Sequence, residues 1–174
     1  MTVLEALNQR MRRLPCRLQG MSASLLLTVD VAAPAEQTWA GATDWAHQGA
    51  WMLGTTVRPT RAGGQGVGGV IEAFTGLGRF GFLDTMEITV WQPPARCHVL
   101  HTGRLIRGTG AFDVEPRGPR ASTFLWREDL ELPLGGFGRA GWPLVKPVFA
   151  AGVQASLRRF ARWVEAGRPD DSPR

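Results

Sequence analysis

Three side chains that could move a proton stand in otherwise apolar stretches. Asp84 alternates with Phe80, Phe82, Met86 and Ile88. His101 shares its alternation with Cys97 and Val99, and Glu128 falls among Phe124, Trp126 and Leu130. A period of two places each set on one face of a β-strand. An acid on a core-facing strand is either paired or desolvated, and desolvation raises a carboxyl pKa. A raised carboxyl beside a histidine could polarise a carbonyl or carry a proton in an aldol-type cyclisation. Asp84, His101 and Glu128 are therefore the candidate catalytic residues. The plainer alternative is a satisfied buried ion pair, with Arg104 or Arg127 near enough in the chain to take part.

Other chemistries find less support. His98 and His101 are three apart in a predicted strand, so they point to opposite faces and are not expected to share a metal ion. The glycine-rich GGQGVGG stretch, residues 63–69, lacks the lysine of a phosphate loop and precedes no helix. It reads as turn geometry, or as the flexible edge of a pocket entrance. Ser22, Ser24, Ser122 and Ser156 lack a nucleophile motif. Cys97 and His98 are neighbours on a strand and face apart, and Cys16 beside Arg17 is weak ground for a reactive thiolate. No cofactor motif emerges.

These residues need elements to hold them. A strand is predicted over residues 24–31, then a short helix opened by Pro34 and a second one capped by Thr43 and Asp44. Six strands follow, over 52–59, 70–74, 80–91, 96–106, 108–115 and 121–132, with a turn at 75–78 and a stop at Pro133. Phe149, Val153, Ser156, Leu157, Phe160 and Val164 then make one stripe of a long helix. The helix is predicted to begin near Pro147, with 142–146 as a lead-in, and to end at Gly167. The class is α+β: a curved antiparallel sheet of about seven strands gripping a C-terminal helix. Such a grip leaves room for a cavity. Phe82, Met86, His101, Phe112, Trp126, Phe149, Val153 and Leu157 are its expected ligand-binding lining. Residues 1–21 read as a helical extension, 22–167 as the domain and 168–174 as a tail.

From VDVAAPAEQTWAGATDWA through GGQGVGG, CHVLHTGRLIRGTGAFDVEP and STFLWREDL to the final helix, the chain resembles the polyketide cyclase–dehydrase (SRPBCC) group of the START-like, or Bet v 1-like, superfamily. Pro34, Trp39 and Asp44 stand where that group has its opening phrase. The resemblance covers roughly residues 22 to 166. It implies a helix-grip fold and binding of a hydrophobic small molecule such as a lipid, polyketide or aromatic. It also leaves open an aromatase/cyclase or dehydratase. It supplies no catalytic residues of its own.

The net charge of +5 points at first to an acidic partner. Yet 19 of the 20 basic residues are arginine, a bias that looks compositional. The clusters at Arg10–Arg13 and Arg158–Arg162 lack the interleaved aromatics of a nucleic-acid stacking platform. Nucleic acid is not an expected partner. A module offering its basic helix face to an acidic protein is a third reading. No apolar run reaches the ~18 residues of a membrane span. The two cysteines, without metal or redox spacing, fit a reduced cytoplasmic protein, with one disulfide left open. A monomer and a homodimer are both open.

Overall fold

The computed structural model describes residues 22–131 and 135–168. The expected helical extension over 1–21, with Cys16 and the Arg10–Arg13 cluster, Pro133 and the tail beyond 168 lie outside them. Strand β1 (Ser22–Val31) leads into helix α1 (Ala35–Ala42) and a 3-10 segment (Trp45–Ala50). Strands β2 (Thr55–Arg61), β3 (Val70–Leu77), β4 (Phe80–Gln92), β5 (Arg96–His101), β6 (Gly108–Gly118) and β7 (Ala121–Glu131) follow, then helix α2 (Gly135–Glu165). One seven-stranded sheet runs in the order β1-β7-β6-β5-β4-β3-β2. Every neighbouring pair is antiparallel. This is the helix-grip arrangement that the strand count and the final amphipathic stripe predict.

Boundaries move for identifiable reasons. The β3–β4 turn sits at Gly78 and Arg79, not at Thr75, because Gly78 supplies the left-handed conformation at φ 59°. Thr75 and Gly76 stay in the ladder opposite Phe82 and Gly81. A register shift between Ile88 and Val90 swaps the faces of β4 beyond it. Trp91, which unbroken alternation would put on the face of Glu87, therefore packs on the core and meets Trp39 edge-on at 5.1 Å. β5 ends at His101, five residues before its predicted end, and residues 102–107 form a loop. Asp44 precedes the 3-10 segment but makes no side-chain cap; it pairs instead with His47 at 2.9 Å.

Helix α2 is longer than predicted, because its backbone carries through both Pro143 and Pro147. These prolines are four apart and both exposed, so they share one outward side of the helix. The other end closes as the sequence predicts. Gly167, at φ 82°, donates to Val164 O, and Arg168 N reaches Trp163 O at 2.8 Å. The two bonds make a Schellman cap. Glu165 ties the helix to β1's exit through Ala32 N at 2.9 Å. Ser156 Oγ accepts from Leu53 N at 3.1 Å, pinning the turn after the 3-10 segment.

The densest part of the core lies under the last turns of α2. Trp51, Phe124, Leu157, Phe160 and Val164 are each fully buried. Trp51 stands at the centre, with Phe160 4.9 Å away and Phe124 and Trp126 at 6.3 and 6.1 Å. Near-perpendicular contacts of this kind add to area burial.

Candidate functional site

Toward residues 148–153 the helix and sheet separate and enclose a cavity of about 320 Å³. Phe82, Met86, His101, Phe112, Trp126, Phe149 and Val153 all line it. Leu157 does not: it lies one turn further along α2, fully buried in the core. The three candidate proton-moving residues, Asp84, His101 and Glu128, also reach the wall.

Strand geometry brings the three together. Met86 is paired with His101, so Asp84 sits one same-face step along β4 from the histidine. Glu128 arrives from β7, across Gly110 of β6. His101 Nδ1 lies 2.7 Å from Asp84 Oδ2, and its Nε2 lies 3.1 Å from Glu128 Oε2. The Trp126 indole N–H donates to Glu128 Oε1 at 2.6 Å. The expected alternative, a carboxylate paired with Arg104 or Arg127, is not what forms: both arginines are exposed, and the imidazole takes both acids.

Burial acts to push the His101 pKa down, but hydrogen bonds to Asp84 and Glu128, and the charges of both, outweigh it and hold the pKa at about 9. At neutral pH the ring is therefore an imidazolium that donates through both nitrogens. The two nitrogens serve different carboxylates, so the three groups do not converge on a point as metal ligands would. Cys97, on the same face of β5, is driven by burial and then by the charge of Asp113 to about 12 and stays a thiol. His98 faces the other way and meets Asp113 at 2.8 Å, so the two histidines occupy opposite sides of the sheet.

Gly110 is a part of the site that strand patterning did not single out. A Cβ there would stand 3.1 and 3.2 Å from the Glu128 carboxylate oxygens and 3.0 Å from Val99. The glycine leaves the carboxylate its space, and a glycine inside a strand is the signal that could have marked it. Gln48, Met52 and Leu53 also line the cavity. They lie in and just after the 3-10 segment, where no simple period betrays an inward face. Leu53, Val148 and Phe149 are lining residues that remain open to solvent, and they mark the mouth.

Residues 22–165 match the family model described as polyketide cyclase / dehydrase and lipid transport. The chain belongs to this family. Solved structures agree on the fold. The Zhui aromatase/cyclase from Streptomyces sp. R1128 superposes with a TM-score of 0.68 at 15% identity, covering 88% of this chain and 99% of that one. A Thermus thermophilus protein gives 0.68 at 16% identity, over 84% and 100% of the two chains. Norcoclaurine synthase of Thalictrum flavum gives 0.62 at 14%, over 86% and 98%. No curated protein matches the chain in sequence. Membership brings the general capacity of the family, hydrophobic-ligand binding or cyclase chemistry, without deciding between them. Among the described residues no helix is long and apolar enough to cross a membrane.

Proposed function

We propose that this family member binds a hydrophobic small molecule, a lipid, polyketide or aromatic, in the cavity between the sheet and α2. The observation that carries this reading is the cavity itself: about 320 Å³, walled mainly by aliphatic and aromatic side chains, with one compact polar cluster. A void of that size in a close-packed interior costs packing energy, and the sequence does nothing to fill it. Residues 22–167 act as the binding domain. The free, buried Cys97 suits a reducing, cytoplasmic setting.

Native mass spectrometry of gently purified protein tests the reading. A discrete small-molecule adduct is expected, and it is expected to vanish in G152W, which plugs the mouth from α2. An adduct that survives G152W together with V153W would place the ligand elsewhere. A bare mass, with no binding of any hydrophobic probe by calorimetry, would sink the reading.

A second reading is favoured by one specific observation: Asp84, His101 and Glu128 form one hydrogen-bonded chain on the cavity wall. In a cyclase or dehydratase, Glu128 is the group placed to take a proton from a bound substrate, while the His101 imidazolium holds it in position. Turnover of an aromatic or polyketide-like substrate that disappears in E128Q while binding persists would establish this reading. Binding without turnover across such a panel would leave a carrier.

A further inference from the structure

The polar groups of the cavity wall are unequally spent. His101 gives both ring N–H groups to carboxylates, and Trp126 gives its indole N–H to Glu128. Trp45 donates to Gly64 O at 2.7 Å, and Gln48 to Ala42 O at 3.0 Å. The Thr55 and Thr75 hydroxyls bond each other at 2.9 Å. The ring N–H donors of the wall are thus committed inside the protein. Among the described residues, the hydroxyl hydrogens still free, on Ser156 and on one of Thr55 and Thr75, lie on α2, β2 or β3 and not on the strands that carry the cluster.

The acceptors are not. The four oxygens of Asp84 and Glu128 offer about eight lone-pair sites and receive three N–H groups. Asp84 Oδ1 receives none among the described residues but is itself sealed from solvent, so it adds charge to the wall rather than an acceptor a ligand can reach. The Glu128 side chain is the most open of the three, 13% exposed against 7% for Asp84 and 5% for His101. Two carboxylates around one imidazolium also leave a net negative charge in an apolar wall, where a charge acts more strongly than in water.

We propose that this end of the cavity takes the head group of an apolar ligand that donates hydrogen bonds, a hydroxyl or an ammonium, and turns away a carboxylate. The inference rests on the cavity being a ligand site and names the chemistry the ligand must show there. A donating head meets Glu128 first and adds a charge-assisted hydrogen bond. A carboxylate head brings like charge against Glu128 and finds no uncommitted ring N–H.

Four naphthalene probes of one skeleton test it: 2-(2-naphthyl)ethylamine, 2-(2-naphthyl)ethanol, 2-naphthylacetate and 2-ethylnaphthalene, titrated calorimetrically into the full chain at pH 7. The amine and the alcohol are expected to bind about tenfold or more tighter than the hydrocarbon, with the acetate weakest. The order of amine and alcohol reports which head is preferred. E128Q is expected to bring the amine-to-hydrocarbon affinity ratio to within about twofold of one, because it removes the carboxylate charge while keeping the side chain's length, with its amide NH2 set against one of the two N–H donors, Trp126 or His101. Where E128Q does not fold by near-ultraviolet circular dichroism, D84N carries the same comparison. Equal binding of all four probes, or an acetate as tight as the amine, overturns donor selection while leaving the cavity a binding site. Failure of all four, the hydrocarbon included, overturns the cavity reading and the head-group inference together.

Discussion

At its C-terminal half α2 presses Leu157, Phe160 and Val164, all fully buried, onto Trp51, Phe124 and their neighbours. Two turns earlier the same helix stands off the same sheet, and Phe149, Gly152 and Val153 look into an open space. Backbone architecture does not distinguish the ends, since one helix and one sheet make both. Side-chain volume does. Three tryptophans, Trp39, Trp51 and Trp163, are buried at the closed end. At the hollow end the sheet sets the small Ala73, Ala111 and Gly110 between larger lining residues such as Phe82, Phe112 and Trp126. The difference teaches where stability and recognition reside. Close packing at one end holds the grip shut, and that leaves the other end free to keep a void with buried charge.

The largest expected effect follows from this contrast. Phe160→Ala would open a hole among Trp51, Phe124 and Val164 and should cost about 3–5 kcal/mol. Phe149→Ala, at a side chain 38% exposed on the rim, should cost less than about 1 kcal/mol. Urea unfolding of the two variants measures the gap. Similar losses at both sites would mean the hollow end is also part of the folding core, and the division fails.

Next in size is the buried charge cluster. The folded-state pKa of His101, about 9, lies above the ordinary 6.5. Its contribution to stability is therefore complete below pH 6.5, shrinks as pH rises between the two values, and is gone above about 9. The difference corresponds to on the order of 3 kcal/mol across that window. Thermal unfolding followed from pH 6 to 10 should show the decline, and H101Q should flatten it. A wild-type profile as flat as that of H101Q would mean the imidazole is not held as a cation.

How much of this was legible in the sequence differs between the two ends as well. The closed end was read from a periodic signal, because Leu157, Phe160 and Val164 recur at helical spacing. The Schellman cap at Gly167 was readable for the same local reason. The three polar residues of the hollow end were also legible, as polar interruptions on alternating apolar faces. Their mutual pairing was not. It depends on strand order and register, which put β4, β5, β6 and β7 side by side, and on the absence of a side chain at Gly110. The run of α2 back to Gly135 escaped prediction because Pro143 and Pro147 argued against it. The cavity stops one turn short of Leu157. The helical stripe shows which face is buried but not where along its length the packing opens.

The smallest effect is the sharpest test of the contrast, because it uses one chemical change at two glycines. Both Gly41 of α1 and Gly152 of α2 are helical, so alanine at either should gain about 0.5–1 kcal/mol from reduced backbone freedom in the unfolded chain. At Gly41 a Cβ would stand 2.8 Å from Val164 Cγ2 and 3.3 Å from Phe160 Cε2, inside the closed end. Both of those side chains are fully buried, so neither can yield freely, and overpacking should reverse the gain to a net loss of about 1 kcal/mol. At Gly152 a Cβ meets nothing within 4 Å, and the propensity gain should survive whole. The two substitutions should therefore shift the unfolding midpoint in opposite directions by a few degrees each. If Gly41→Ala stabilised as much as Gly152→Ala, the contact between α1 and the end of α2 would be looser than these distances require. The closed end could then no longer be what holds the cavity's frame in place.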